Sequence, residues 1–290
     1  MTFRRIIAVV TTFAPEEDLR TNIARVATQV RHVVIVDDGA SASNREKLAA
    51  WFGNNPDVTV VSLDKNSGIA VALNTGVKIA KSMGADAVLT LDDDSLIGLH
   101  LVEGLVRHFE RLSLSMRVGL IAAGWSDGGV VPDLAEIEGA SSRIVRNLIT
   151  SGCLMPVAAF DAAGGFREDF FIDSVDFDMC FRMRRAGYQS VSVNFIGVMH
   201  QLGEPRSRRF FGFKIESTNH SPLRRYYAVR NSMVLAAEHL FDDPAYALAV
   251  PVWWTLTLGK ILVVEHDRPK KLSLMLRGLV HAVVGRTGKL

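Results

Sequence analysis

Hydrophobic and polar positions alternate in blocks along the first half of the chain. Residues 6–13 (IIAVVTTF) are a near-continuous apolar run that reads as a strand, followed by the amphipathic helical pattern of residues 16–30 (EEDLRTNIARVATQV). The pair recurs with HVVIVDDG (32–39) as a strand, SNREKLAAWF (43–52) as a helix capped by Ser43 or Asn44, and VTVVSL (58–63) as a third strand. SGIAVALNTGVKIAKSMG (67–84) predicts a helix closed by Gly84, and ADAVLTLD (85–92) a fourth strand. Runs this apolar belong to strands covered by helices on both faces. The alternation predicts an α/β fold with a doubly wound, mostly parallel sheet.

After about residue 115 the rhythm loosens. VGLIAAGW (118–125), LITSGCLMP (148–156) and YQSVSVNFIG (188–197) read as strands, and DFDMCFRMRRAG (176–187) as a helix. GGVVPDLAEIEGASSR (128–143) has no clear period and is expected to be a loop, as is the basic, aromatic EPRSRRFFGFK (204–214). From Pro222 the pattern is helical to the end. No internal repeat or low-complexity linker interrupts the chain. The expected organisation is a catalytic domain over residues 1–215, then a helical extension over 216–290.

Composition adds an asymmetry. The 290 residues are 48% hydrophobic and 22% charged, with a formal net charge of +2. From Pro269 onward, however, Lys270, Lys271, Arg277, Arg286 and Lys289 meet no acidic residue. Leu272, Leu274, Met275, Leu276, Leu279 and Val280 lie between these cations, a pattern that suits either an anionic membrane surface or an ordinary core-facing helix. The longest apolar stretch, residues 246–264, carries Pro251 and Lys260, so it predicts a buried or interfacial helix instead of a membrane span. The apolar content of these helices leaves self-association open. Two cysteines, Cys153 and Cys180, form no CxxC pair and fit a reducing cytoplasm. The apolar run at the N-terminus is short and reads as a first strand, not a signal peptide. Nothing in the pattern calls for nucleic acid.

The chemistry concentrates at predicted strand ends, where ligands bind in open α/β sheets. Asp37 and Asp38 follow one strand, Asp64 to Asn66 another, and Asp92, Asp93 and Asp94 a third. A single aspartate there is ordinarily a helix cap; three clusters in register point to a hard divalent cation, Mn²⁺ or Mg²⁺, shared with a substrate diphosphate. No GxxxxGK[ST] loop is present, and no GxGxxG follows the first strand, which weighs against a P-loop nucleotidase and a dinucleotide dehydrogenase. A nucleotidyltransferase would carry a glycine-rich basic loop after that strand, where this chain has TTFAPEEDLR.

IVDDGAS, DKNSGIAVALNTGVKIA, LTLDDDS, GGFREDFFIDSVDFDMCFRMRRAGY, VMHQLGE and SPLRRYYAVRN occur in an order that resembles family 2 glycosyltransferases of the GT-A fold, in their bacterial rhamnosyltransferase branch. The resemblance covers nearly the whole chain. It implies a metal-dependent, inverting transferase, with dTDP-L-rhamnose as donor and a surface or cell-wall glycan, free or lipid-linked, as acceptor. UDP-galactofuranose or a UDP-hexose is the alternative donor, and an inactive nucleotide-sugar or glycan binding module the non-enzymatic one. It further implies Asp176 as general base, Asp173 and Asp178 on the acceptor side, and Asp94, Asp92 and His200 at the metal. Thr11, Asp37, Asp38, Asn66, Gly68, Asp92, Asp93, Arg224 and Arg230 would meet the nucleotide or donor. The family pattern places an acid before the base, where this chain has Val175. The implied location is the cytoplasmic face of the bacterial inner membrane.

Overall fold

The computed structural model describes residues 3–39, 41–126, 134–199, 206–210 and 213–290. The chain forms two compact units, residues 1–167 with 176–201, and residues 168–175 with 202–290.

In the first unit the predicted alternation is present. Strand β1 (Ile6–Thr12) leads to α1 (Asp18–Ala27), β2 (His32–Asp37) to α2 (Ala42–Phe52), and β3 (Val58–Ser62) to α3 (Ile69–Ser82) and β4 (Ala87–Asp92). These strands lie parallel in the order β3, β2, β1, β4. Val33 to Val36 are wholly buried, as expected of strands covered on both faces. On one face, Leu19, Ile23 and Val26 of α1 and Leu48 and Phe52 of α2 pack with Ala8, Val10, Val33 and Ile35. On the other, α3 approaches so closely at Gly76 that a Cβ there would lie 2.3 Å from Val9 Cγ1. The cap of α2 is Ser41, whose Oγ accepts from the Asn44 amide at 3.0 Å, and not Ser43 or Asn44.

The second half of the sheet is mixed. After β5 (Leu96–Ile97) and α4 (Leu101–Leu112) come β6 (Val118–Ser126), α5 (Leu134–Gly139), β7 (Ser142–Val145), β8 (Cys153–Pro156) and α6 (Val157–Ala163). Helix α7 (Val175–Arg185) and β9 (Gln189–Met199) complete the elements of this region. Strand β8 runs antiparallel between β4 and β6, β6 and β9 are parallel, and β5 and β7 pair antiparallel with β9. The segment expected as a loop over 128–143 contains α5, which buries Ile137 against the core; residues 127–133 lie outside the described residues.

In the second unit, β10 (Arg206–Phe210) and β11 (Phe213–Ser217) pair antiparallel where the sequence predicts a loop. Helix α8 (Pro222–Glu238) starts with Ser221 as cap and Pro222 in the first turn. Helices α9 (Pro244–Val264) and α10 (Arg268–Val283) follow. Gly278 of α10 lies against the Tyr226 carbonyl, where a Cβ would be 2.6 Å away. The wholly buried Glu265 is held by Arg225, by Ser217 and by Lys271 at 2.7 Å, so its burial is matched by two cations. Trp254 donates to Ser232 at 2.7 Å and anchors one side of α9.

Candidate active site

Three adjacent parallel strands bring the acidic clusters to one sheet edge. Thr12 pairs in register with Asp37, and Thr11 with Asp92, so β1 alone separates the two aspartates. At about 4.8 Å between neighbouring strands, that spans roughly 10 Å.

Asp37 is fully buried. Its Oδ1 accepts from the Gly39 amide at 2.9 Å and from Asn44 Nδ2 at 3.1 Å. Its Oδ2 is buried with no hydrogen-bond partner among the described residues. A buried carboxylate oxygen without a donor is costly, and an incoming N–H or O–H would relieve it. Gly39 is required beside it, since a Cβ would lie 2.1 Å from the Phe13 carbonyl oxygen.

Asp38 faces a different task. Its two oxygens accept the amides of Ser67 at 2.6 Å and Gly68 at 2.7 Å, the unpaired donors before α3. Gly68 adopts φ 94°, which a side chain would oppose. Asp38 therefore caps the α3 entrance, and half-buried Asn66 sits on the same loop.

The turn after β4 separates its three carboxylates by environment. Asp94 is exposed and Asp92 and Asp93 are half-buried. Thr12 Oγ1 donates to Asp93 Oδ2 at 2.5 Å, and Asn22 Nδ2 donates to the Asp93 carbonyl at 2.9 Å. Burial is the main influence raising the Asp93 carboxyl above its usual range, with Asp94 adding to it and Thr12 opposing it. The Asp92 amide donates to Ser151 Oγ at 3.2 Å, and Ser95 and Ser151 hydroxyls meet at 2.7 Å. Asp93 thus ties the turn to β1 and α1, while Asp94 faces solvent. Thr12, Asn22, Asn44 and Ser151 escape the sequence reading. Strand alternation explains the choice of Thr11 over Thr12, because sequence does not say which neighbour faces the turn.

Among the described residues no three histidine, cysteine or acidic side chains converge as a metal cage. An all-oxygen set of half-buried Asp92 and exposed Asp94 instead fits a hard cation completed by phosphate oxygens. His200 lies outside the described residues.

At the start of α7, half-buried Asp176 accepts the Phe177 amide at 2.9 Å. Asp178, two residues on, is buried, bonded to Arg182 Nε at 2.7 Å and 3.6 Å from Arg167 Nη1. Asp178 and Arg182 pair at i,i+4 on one helix face, which commits the Asp178 carboxylate expected on the acceptor side to arginines.

In the second unit, Asp173 Oδ1 accepts from Arg224 Nε at 3.2 Å, and its Oδ2 is buried without a hydrogen-bond partner among the described residues. Burial, opposed by Arg224, raises the Asp173 carboxyl. Arg230 is fully buried, its guanidinium bonded to the carbonyls of Phe170 and Gly288 and lying over Tyr226 and Tyr227. The expectation of an open cation for a phosphate at Arg230 is corrected by these partners. Arg224 remains about half exposed.

A parallel half, an acidic turn at a strand end and a mixed second half define the GT-A fold. Residues 7–170 match the glycosyl transferase family 2 model, and the chain belongs to that family and is a glycosyltransferase. It is 27% identical over 241 residues to dTDP-rhamnosyl transferase RfbF of Shigella flexneri, covering 79% of each chain. Among solved structures, residues 1–349 of Staphylococcus aureus TarS align with a TM-score of 0.58 at 16% identity, over 96% of this chain and 81% of that one. The mannosyltransferase PcManGT of Pyrobaculum calidifontis, solved with GDP-Man and Mn²⁺, aligns with a TM-score of 0.56 at 15% identity, over 99% and 87%.

Proposed function

We propose that the protein is an inverting, divalent-metal-dependent rhamnosyltransferase that moves L-rhamnose from dTDP-L-rhamnose to a hydroxyl of a cell-surface or cell-wall glycan. The observation that carries the reading is the row formed by the donor-less Asp37 oxygen, Thr12 and the Asp92–Asp94 turn on adjacent strand ends. The choice of donor is supported by the likeness to RfbF over four-fifths of both chains.

Asp37 accepts a base or ribose donor, and Asp92 meets the ribose or sugar. Asp94 and Asp92, with His200, would hold Mn²⁺ or Mg²⁺, which supplies charge neutralisation for the departing nucleoside diphosphate. A Mn²⁺-containing structural relative supports a metal of this class. Asp176 takes the proton from the acceptor hydroxyl as its oxygen attacks the anomeric carbon, and the bond to the diphosphate breaks on the opposite face. Asp173 receives the acceptor. Arg224 offers a cation to phosphate.

The location follows the C-terminal helices. Helix α9 is long and apolar enough to cross a membrane, yet one side is packed through Trp254, Thr257 and Ile261. Its other side exposes Leu248, Val252, Trp253, Leu256 and Leu262, with Lys260 as its lone charge. Together with the acid-free basic α10, this supports peripheral seating on an anionic membrane at the cytoplasmic face of the inner membrane, where a lipid-linked acceptor would be found.

The test is incubation with dTDP-L-rhamnose, UDP-galactofuranose and UDP-hexoses, with and without Mn²⁺. Metal-dependent release of dTDP from dTDP-L-rhamnose, with an inverted product, supports the reading. Release from a UDP-sugar alone replaces the donor, and no release from any donor favours a binding module.

A further inference from the structure

The segment Asp169–Ser174, which leads into α7, is unusual in its backbone. Phe171, Asp173 and Ser174 have φ of 66°, 64° and 62°, left-handed conformations that side chains disfavour. None is glycine, so the segment must be held from outside.

The hold comes from two neighbouring residues of α8, both fully buried. Asn231 Nδ2 lies 2.8 Å from the Phe170 carbonyl, 2.7 Å from that of Ile172 and 2.9 Å from that of Asp173. Three carbonyls from a four-residue stretch point at one amide nitrogen only when the backbone curls around it. Arg230 fixes the carboxamide's orientation, donating from Nε to Asn231 Oδ1 at 2.8 Å. Its Nη2 reaches the Phe170 carbonyl at 3.1 Å. Phe171 stacks on Tyr227 with centroids 5.0 Å apart, and Arg224 holds the Asp173 carboxylate. Deletion of the carboxamide takes this side-chain donor from the carbonyls of Ile172 and Asp173 and leaves that of Phe170 to Arg230.

We propose that Asn231 and Arg230 are positioning residues, a clamp that keeps the left-handed loop curled and so presents the unpartnered oxygen of Asp173 to a hydroxyl of the acceptor sugar. The inference rests on the glycosyltransferase reading above for the identity of the ligand. The clamp itself stands on the loop geometry. In this role α8's RRYYAVRN is a template for the acceptor loop, and its buried arginine serves the backbone instead of a phosphate.

The test uses the full chain and the variants Asn231→Ala, Ser174→Gly and the two combined. Amide exchange at residues 170–174 reads the clamp without any donor, and acceptor kinetics with dTDP-L-rhamnose, Mn²⁺ and an octyl glycoside probe read its consequence. Asn231→Ala is expected to lose protection in the loop and to lower kcat/KM for the probe about 100-fold, the cost of a misplaced reacting group. The Kd for dTDP with Mn²⁺ should stay within about threefold, since an acceptor-side fault spares donor binding. Ser174→Gly in that background should recover about tenfold of the loss, because glycine accepts the left-handed angle without strain. If Asn231→Ala does not fold, Arg230→Lys, which loses the planar fork, is read in the same way. Unchanged loop protection overturns the clamp. A parallel fall in donor affinity and transfer, or no rescue by glycine, overturns the positioning role. Because exchange needs no sugar, failure of the glycosyltransferase reading shows separately, as absence of donor turnover by the unsubstituted protein.

Discussion

At the end of β4, Asp92 to Asp94 sit where a buried strand stops, and their positions follow from the sheet: register places Asp92 beside Thr11, and one hydroxyl, from Thr12, ties down the middle carboxylate. Before α7, Asp173 sits in a loop with three left-handed residues and takes its shape from a helix about 60 positions later, through Asn231. The first arrangement also draws on residues distant in sequence, but its backbone is a strand end in which Asp92 to Asp94 keep ordinary, negative φ. The second stores strain and depends on distant side chains. The difference predicts unequal responses to substitution: the strand-end turn should tolerate loss of a carboxylate structurally and fail only in ligand binding, whereas the loop should lose shape first.

The largest expected effect breaks the chemistry and neither support. Asp176→Asn removes the proposed base while keeping the amide contact, and steady-state assay should find transfer reduced about 10³-fold with nucleotide affinity retained. Asp94→Ala, on the strand-end side, should abolish metal-dependent stabilisation by nucleotide, about 2.7 kcal/mol at ligand 100 times its Kd, while the ligand-free melting point hardly moves. Asp38→Ala sharpens the comparison because this aspartate is a cap. Losing two charge-assisted bonds to the α3 entrance should cost about 2 kcal/mol in denaturant unfolding.

A smaller effect concerns pH in the second unit. Burial is the first cause holding His220 neutral, followed by the nearby Arg224, Arg225 and Lys271, with Glu265 opposing, and its pKa falls from 6.5 to about 4. A folded value below the unfolded one means that the unfolded chain takes up the proton first. Stability from this group is therefore complete above pH 6.5 and declines as pH falls from 6.5 toward about 4. His220→Asn should flatten that stretch of the stability curve. The smallest effect is expected from Trp253→Glu on exposed α9, which should weaken sedimentation with anionic vesicles and leave the melting point unchanged. Binding that persists with a shift in oligomer mass would favour self-association of this face.

The parallel half was legible because its strands are buried on both faces, so hydrophobic runs alone mark them, and the clustered aspartates fall where those runs end. The two-residue β5 and the hairpin of β10 and β11 were not, since so short or so basic a run carries little apolar signal. Asp38 shows the limit at the site. Sequence marks it as a strand-end acid beside Asp37, yet only the fold sends its carboxylate to Ser67 and Gly68. Arg230 shows the same limit for cations: the resemblance offers it to the donor, and only three-dimensional packing encloses it. Asn231 gives no signal in sequence, because its partners are carbonyls, which every residue has.

The most direct measurement is thermal stability of the protein with dTDP and dTDP-L-rhamnose, in Mn²⁺, in Mg²⁺ and in chelator, alongside Asp94→Ala. The account predicts stabilisation that appears only with metal and vanishes in the variant. Equal stabilisation in chelator, or none with any nucleotide, would contradict a metal–diphosphate site at the end of β4.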